Sequence, residues 1–94
     1  MIEKQNRPLY FMDKTFDLGI YSTEKTIFEG KVTSLIAPSV SGYLGILADH
    51  TPLAAKLSLG KIILRLSSGK IVELDSDVGG FLEVCQNQAS ILLK

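Results

Sequence analysis

His50 is the only histidine in the chain, and Asp49 before it and Thr51 after it place the residue types of an acid–base relay side by side. A serine from Ser39 or Ser41 would complete an Asp-His-Ser arrangement, in which the carboxylate orients the imidazole and the imidazole takes the hydroxyl proton. No Gly-x-Ser-x-Gly elbow presents such a serine. His50 also stands just before Pro52, in a turn where a histidine more often ties loop backbone together, and that reading is preferred to a hydrolase. Glu73, Asp75 and Asp77 alternate, so a strand would put all three carboxylates on one face, as oxygen ligands for a hard cation. Without a twelve-residue loop closing on a Glu they read as a solvated face, and no metal site is assigned. Cys85 has no basic neighbour in sequence to lower its pKa and reads as a core or half-exposed strand residue. Gly79 and Gly80 would suit a phosphate only at the opening of a helix; a strand follows them, so a kink or bulge is expected instead. The residues assign no catalytic role and call for no cofactor.

The segments that would position these groups read as short strands. Phe16, Leu18 and Ile20 alternate with Asp17 and Gly19, the period-two pattern of a strand with one buried face. Residues 31–37 continue as another strand. Ile62, Leu64 and Leu66 alternate with Lys61, Ile63 and Arg65; Ser67, Ser68 and Gly69 supply a turn, and the alternation resumes at Ile71, Glu73 and Asp75. Residues 81–85 and 89–93 form a second hairpin around Gln86, Asn87 and Gln88. Beyond residue 15 no segment sustains the i, i+3, i+4 spacing of a helix. Regular turn signals between short strands predict a β-sandwich or barrel. Phe28, Leu35, Ile36, Leu64, Leu82 and Ile91 are the expected core. Residues 1–14 fall outside the alternation and read as a flexible arm or an extra edge strand, leaving residues 15–94 as the domain.

Composition narrows the class further. A chain of 94 residues suffices for one domain, since chains of roughly 60–150 residues bury about two-thirds of their unfolded surface. Ten basic and ten acidic residues give a formal net charge of zero, so no broad field draws in nucleic acid or an anionic membrane. The longest uncharged stretch, residues 32–48, is broken by Pro, Ser and Gly and falls short of the ~20 apolar residues of a spanning helix. The N-terminus lacks the apolar core and small-residue cleavage site of a secretory signal, and a lone cysteine suits a reducing compartment.

Residues 42–53, GYLGILADHTPL, followed by VGGFLEV at 78–84, stand above this background. Two glycines three apart bracket an apolar run that closes on His50, Pro52 and Leu53, and glycine and proline specify the backbone at each end. The run resembles the G-x-L-G-I-L-P-x-H-x-P-L segment of the epsilon subunit of F-type ATP synthases. TFDLGIYSTEKTIFEGKV at 15–32, LGKIILRLSSGK at 59–70 and VGGFLEVCQNQASILL at 78–93 are similar to that family's first hairpin, its central strand and turn, and its closing hairpin. The resemblance covers residues 15–93.

It implies an all-β fold, a two-sheet antiparallel β-sandwich of about ten short strands. It also implies a non-catalytic rotor subunit of the central stalk, linking gamma to the membrane c-ring and coupling ion translocation to ATP synthesis. Such a subunit is peripheral, on the cytoplasmic face of the bacterial plasma membrane, with no small-molecule substrate of its own. The uncharged loop Pro38, Ser39, Val40, Ser41, Gly42, Tyr43 and Leu44 corresponds to the part that rests on the polar loops of the c-ring. A side near Ser22, His50, Leu53 and Ala55 corresponds to the gamma contact. Three departures modify this. Tyr43 stands where the family carries an acidic residue, so a ring contact should be more apolar and less salt-dependent. Ala48 and Asp49 replace the usual Pro and its neighbour, and Leu59 stands where a Pro often precedes Gly60. The helical hairpin that follows the sandwich in most of the family has no counterpart before Lys94, so its inhibitory role is expected to be missing. A stand-alone β-sandwich protein-binding module, sharing only the architecture, is the alternative.

Overall fold

The computed structural model describes residues 14–94. Its elements are eight strands: β1 Phe16–Tyr21, β2 Thr26–Ser39, β3 Gly42–Leu47, β4 Leu53–Leu57, β5 Gly60–Leu66, β6 Ile71–Ser76, β7 Gly80–Cys85 and β8 Gln88–Leu93. The all-β class and the sandwich hold. Among the described residues the strands number eight against the expected ten or so; β2 is one 14-residue strand that serves both layers. Its first half pairs with β1 and its second half with β3 and β5. One layer runs β2, β1, β8, β7, β4, and the other runs β3, β2, β5, β6. The first layer returns to β2 through Ser39 opposite Leu57, so the circuit closes. The pairing is not purely antiparallel, since β1 and β8 lie parallel, with Leu18 opposite Ala89. The expectation of an arm or edge strand before the domain falls outside the described residues, apart from exposed Lys14.

Inward faces of both layers meet in one core. Phe16, Leu18 and Ile20 of β1, Leu82 and Val84 of β7, and Ala89 and Ile91 of β8 face Val32, Leu35, Ile46, Ile62 and Leu64. Fully burying a Leu or Ile side chain contributes about 1.5–3 kcal/mol each. Of the expected core residues, Leu35, Leu64, Leu82 and Ile91 are buried, and Phe28 packs half-buried against the cluster.

Ile36 is a correction: it faces outward and is 40% exposed. The cause is a β-bulge in β2. Val32 pairs with Leu66 and Ser34 with Arg65, leaving Thr33 as the extra residue. Strict alternation from Val32 would send Ser34 and Ile36 inward; the bulge shifts the parity so that Leu35 and Ala37 point in.

The turns obey the chemistry that their residues allow. Gln86 and Asn87 both adopt positive φ, 52° and 60°, as a two-residue hairpin loop requires. Gln88 belongs to β8 rather than to the loop. At the start of β7, a Cβ on Gly80 would lie 2.0 Å from the carbonyl oxygen of Leu92. The second glycine of VGG is therefore fixed by the closeness of β8.

Candidate functional site: the two ends of the sandwich

One end of the molecule gathers the β2–β3, β4–β5 and β6–β7 turns. β2 runs to Ser39 and β3 begins at Gly42, so the expected loop is a tight turn through Val40 and Ser41. Its seven residues divide by burial. Pro38 and Ser39 are buried, Leu44 is half-buried, and Val40, Ser41, Gly42 and Tyr43 are exposed.

Ser39 builds the turn from within. Its Oγ accepts the Ser41 amide hydrogen at 3.1 Å and donates to the Gly42 carbonyl. The neighbouring turn is tied to the same strand end. Ser58 donates its amide to the Pro38 carbonyl at 2.9 Å and its hydroxyl to the Ser39 carbonyl at 3.3 Å. The Val40 amide donates to the Lys56 carbonyl at 3.1 Å. Buried Ser76 donates to the Ser58 carbonyl at 3.1 Å, bringing in the end of β6. Three turns are thus cross-linked by serines, and their apolar tips stand on a stiff base.

Those tips are Val40 at 63% exposure, Tyr43 at 61%, Leu59 at 65% and Val78 at 56%. Leu59 and Val78 were not anticipated as site residues. In sequence they are single apolar residues beside glycines, and only the serine links show that they share an end with Val40. Four exposed apolar residues on one end form a surface that is cheap to desolvate against a partner. Beside it Lys61 and Asp75 pair at 2.8 Å, and that hydrogen bond raises the Lys61 amine above its ordinary value. Asp75 is therefore held by a lysine.

The opposite end holds the β3–β4 connection and the β7–β8 turn. His50 is half-buried, and its Nδ1–H donates to the Thr51 carbonyl at 2.6 Å. The imidazole ties its own loop. Ser39 lies at the other end, opposite Leu57, whereas His50 leads into the end of β4 where Leu53 faces Val84. No Asp-His-Ser relay is formed with Ser39. Asn87, another residue that the sequence did not flag, organises this end. Its Oδ1 accepts the Asp49 amide at 2.8 Å, its Nδ2 donates to the Thr15 carbonyl at 3.0 Å, and its own carbonyl accepts the Asp17 amide at 3.2 Å.

Leu53 and Ala55 follow His50 on β4, half-buried. Ser22 is elsewhere. It sits beyond Tyr21, at the end of β1 that pairs with Leu92, where its Oγ accepts the amides of Glu24 and Lys25. Any partner touching both Ser22 and His50 has to run the length of the β1–β8–β7–β4 layer. Cys85, read as core or half-exposed, is exposed at the end of β7, on the side opposite Val84.

This arrangement of turns on a closed circuit has known counterparts. The family model for the ATP synthase, Delta/Epsilon chain, beta-sandwich domain matches residues 15–94. The chain belongs to that family. The delta/epsilon sandwich is similar to the ATP synthase epsilon chain of Chlorobium limicola, 44% identical over 80 residues, covering 85% of this chain and 90% of that one. It is also similar to the epsilon chain of Leptospira interrogans (strain Fiocruz L1-130), 41% identical over 75 residues, 80% of this chain. It spans only 58% of that relative's length. Among solved structures, a chain of the Euglena gracilis mitochondrial ATP synthase, OSCP/F1/c-ring, superimposes with a TM-score of 0.79 at 18% identity, covering 97% of this chain and 65% of that one. A chain of the Tetrahymena thermophila mitochondrial ATP synthase central stalk and c-ring gives 0.70 at 15% identity, covering 86% and 65%. At such identities the likeness is one of fold. Among the described residues no helix is long and apolar enough to cross a membrane.

Proposed function

We propose that this delta/epsilon sandwich acts as a non-catalytic central-stalk rotor subunit, joining gamma to the c-ring and coupling ion flow to ATP synthesis. It would sit peripherally on the cytoplasmic face of the plasma membrane. The observation that carries this reading is the serine-linked end, where Val40, Tyr43, Leu59 and Val78 stand exposed on three cross-linked turns. Torque transmission requires a contact that does not yield under load. Backbone and serine hydrogen bonds at the base of that end, above a close-packed core, provide such stiffness. The ring contact falls to Val40, Ser41, Gly42 and Tyr43, with Pro38, Ser39 and Leu44 shaping the turn from below. The gamma contact falls to His50, Leu53 and Ala55 at the β4 edge, and to Ser22 where gamma extends along the layer.

The test is size-exclusion chromatography with light scattering of the chain mixed with gamma from the same organism, then with gamma and detergent-solubilised c-ring. We expect a one-to-one complex with gamma, weakened by His50→Ala and unaffected by Tyr43→Glu, and a ternary complex with the ring that Tyr43→Glu weakens. No complex with gamma at micromolar concentration would defeat the rotor reading.

A further inference from the structure

Ser76 ends β6 as a hydroxyl only 2% exposed. A buried hydroxyl needs a partner, because leaving it unpaired costs more than a hydrogen bond returns. Ser76 finds one in the Ser58 carbonyl, on the β4–β5 turn, at 3.1 Å. The Ser58 hydroxyl stands 3.3 Å from the Ser39 carbonyl, and the Ser39 hydroxyl donates to the Gly42 carbonyl. Serine hydroxyls thus run in series from the end of β6 to the start of β3, each donating to the main chain of the segment beyond. The middle link is the soft one. Ser58 Oγ has a second acceptor in the Leu59 carbonyl at 3.4 Å, and its single proton cannot serve both fully. Ser76 holds the same turn from behind with no such competition.

The strand register carries this hold to Tyr43. Ser76 lies opposite Gly60 in the β5–β6 pairing, and Tyr43 lies opposite Pro38 in the β2–β3 pairing. A Cβ on Gly60 would stand 2.9 Å from Pro38 Cβ and 2.9 Å from the Tyr43 hydroxyl. The Tyr43 side chain therefore rests its polar end over bare Gly60 backbone while staying 61% exposed. Leu59 is carried between Ser58, which Ser76 holds, and Gly60, which Ser76 faces. We infer that Ser76 is a positioning residue for the ring contact. From behind the exposed tips it sets the seat of Gly60, and through it the pose of Tyr43 and the spacing between Leu59 and Val40. The inference rests on the ring contact proposed above and adds that two turns, not the β2–β3 turn alone, meet the ring as one body. Turns that moved independently would have to be ordered on binding, at a cost in affinity.

The experiment measures the affinity of the gamma complex for detergent-solubilised c-ring, in wild type and in the Ser76→Ala, Ser58→Ala and Tyr43→Glu variants. Amide hydrogen exchange on each chain and its affinity for gamma are measured alongside. Each serine change removes one oxygen and leaves the exposed tips untouched. We expect Ser76→Ala to weaken ring binding by about tenfold and Ser58→Ala by less, both with unchanged gamma affinity. The Val40 and Ser58 amides, which bond the Lys56 and Pro38 carbonyls, should exchange faster in Ser76→Ala while the β7 and β8 amides keep their protection. Ring binding weakened by Tyr43→Glu but untouched by either serine variant would overturn the inference and leave the rotor reading standing. Equal losses of gamma and ring affinity, or lost protection in β7 and β8, would make Ser76 a residue of general stability and also overturn it. A wild-type chain that fails to bind the ring would defeat the rotor reading and this inference with it.

Discussion

Gly80 and Gly45 offer the same chemical change in one molecule with opposite expected outcomes. A methyl added at Gly80 would sit 2.0 Å from the Leu92 carbonyl oxygen and 3.0 Å from Leu93 Cα, backbone atoms of the central strand β8. No side-chain rotation relieves that overlap. The β7 and β8 backbones must separate by more than 1 Å, taking with them the Gly80–Leu93 pairing and the hydrogen bond from the Lys94 amide to the Gly79 carbonyl. Forcing atoms into a packed site costs about 1–3 kcal/mol, and a weakened ladder hydrogen bond adds about 1 kcal/mol. Gly80→Ala should therefore destabilise by roughly 3 kcal/mol, which for a domain of this size lowers Tm by roughly 12–24 °C. Gly45→Ala meets nothing within 4 Å and should change stability by less than about 1 kcal/mol. Urea melts followed by far-UV circular dichroism measure both. Equal midpoints for the two variants would show that β8 does not lie against β7 at Gly80 as described.

Two further outcomes follow from the core and from the perturbed phenol of Tyr21. Leu82→Ala, at a side chain 1% exposed between the layers, should cost about 2–5 kcal/mol in the same melts; a loss below 1 kcal/mol would place Leu82 at the surface. Tyr21 donates its hydroxyl to Glu29 at 2.9 Å, and this hydrogen bond raises the phenol above its ordinary value of 10.0. The folded state favours the protonated phenol, so the contribution is present below pH 10 and is lost as pH rises through the folded value. A spectrophotometric phenol titration should show a late-titrating component that is absent from Tyr21→Phe and from Glu29→Gln.

What the sequence disclosed and what it hid divide along the reach of each signal. Strands whose partners are near in sequence were legible, because alternation and turn residues act over a few positions: β5 with β6, and β7 with β8, appear as expected. The bulge at Thr33 was not, since Val32, Leu35 and Ile36 are all apolar and either parity satisfies a pattern of apolar residues. Ile36 went into the expected core for that reason. At the candidate site, the Val40–Tyr43 turn was visible as an uncharged stretch between Pro38 and Gly45. Leu59 and Val78 join it only through Ser58 and Ser76, whose small hydroxyls give no sequence pattern. Asn87 was read as hairpin polarity, and its links to Thr15 and Asp49 cross separations of 72 and 38 residues.

The parallel pairing of β1 with β8 sets an order of events for a nascent chain. Leu18 finds Ala89 and Ile20 finds Ile91 only after nearly the whole domain has been synthesised. The β1–β2 hairpin can form early, but the free side of β1 remains an unpaired edge until β8 leaves the ribosome. Contacts of such separation are slow to close and leave apolar strand surface exposed meanwhile. Production of this protein should thus be limited by the interval before β8 arrives, and conditions that shield β1 during that interval should raise the soluble yield.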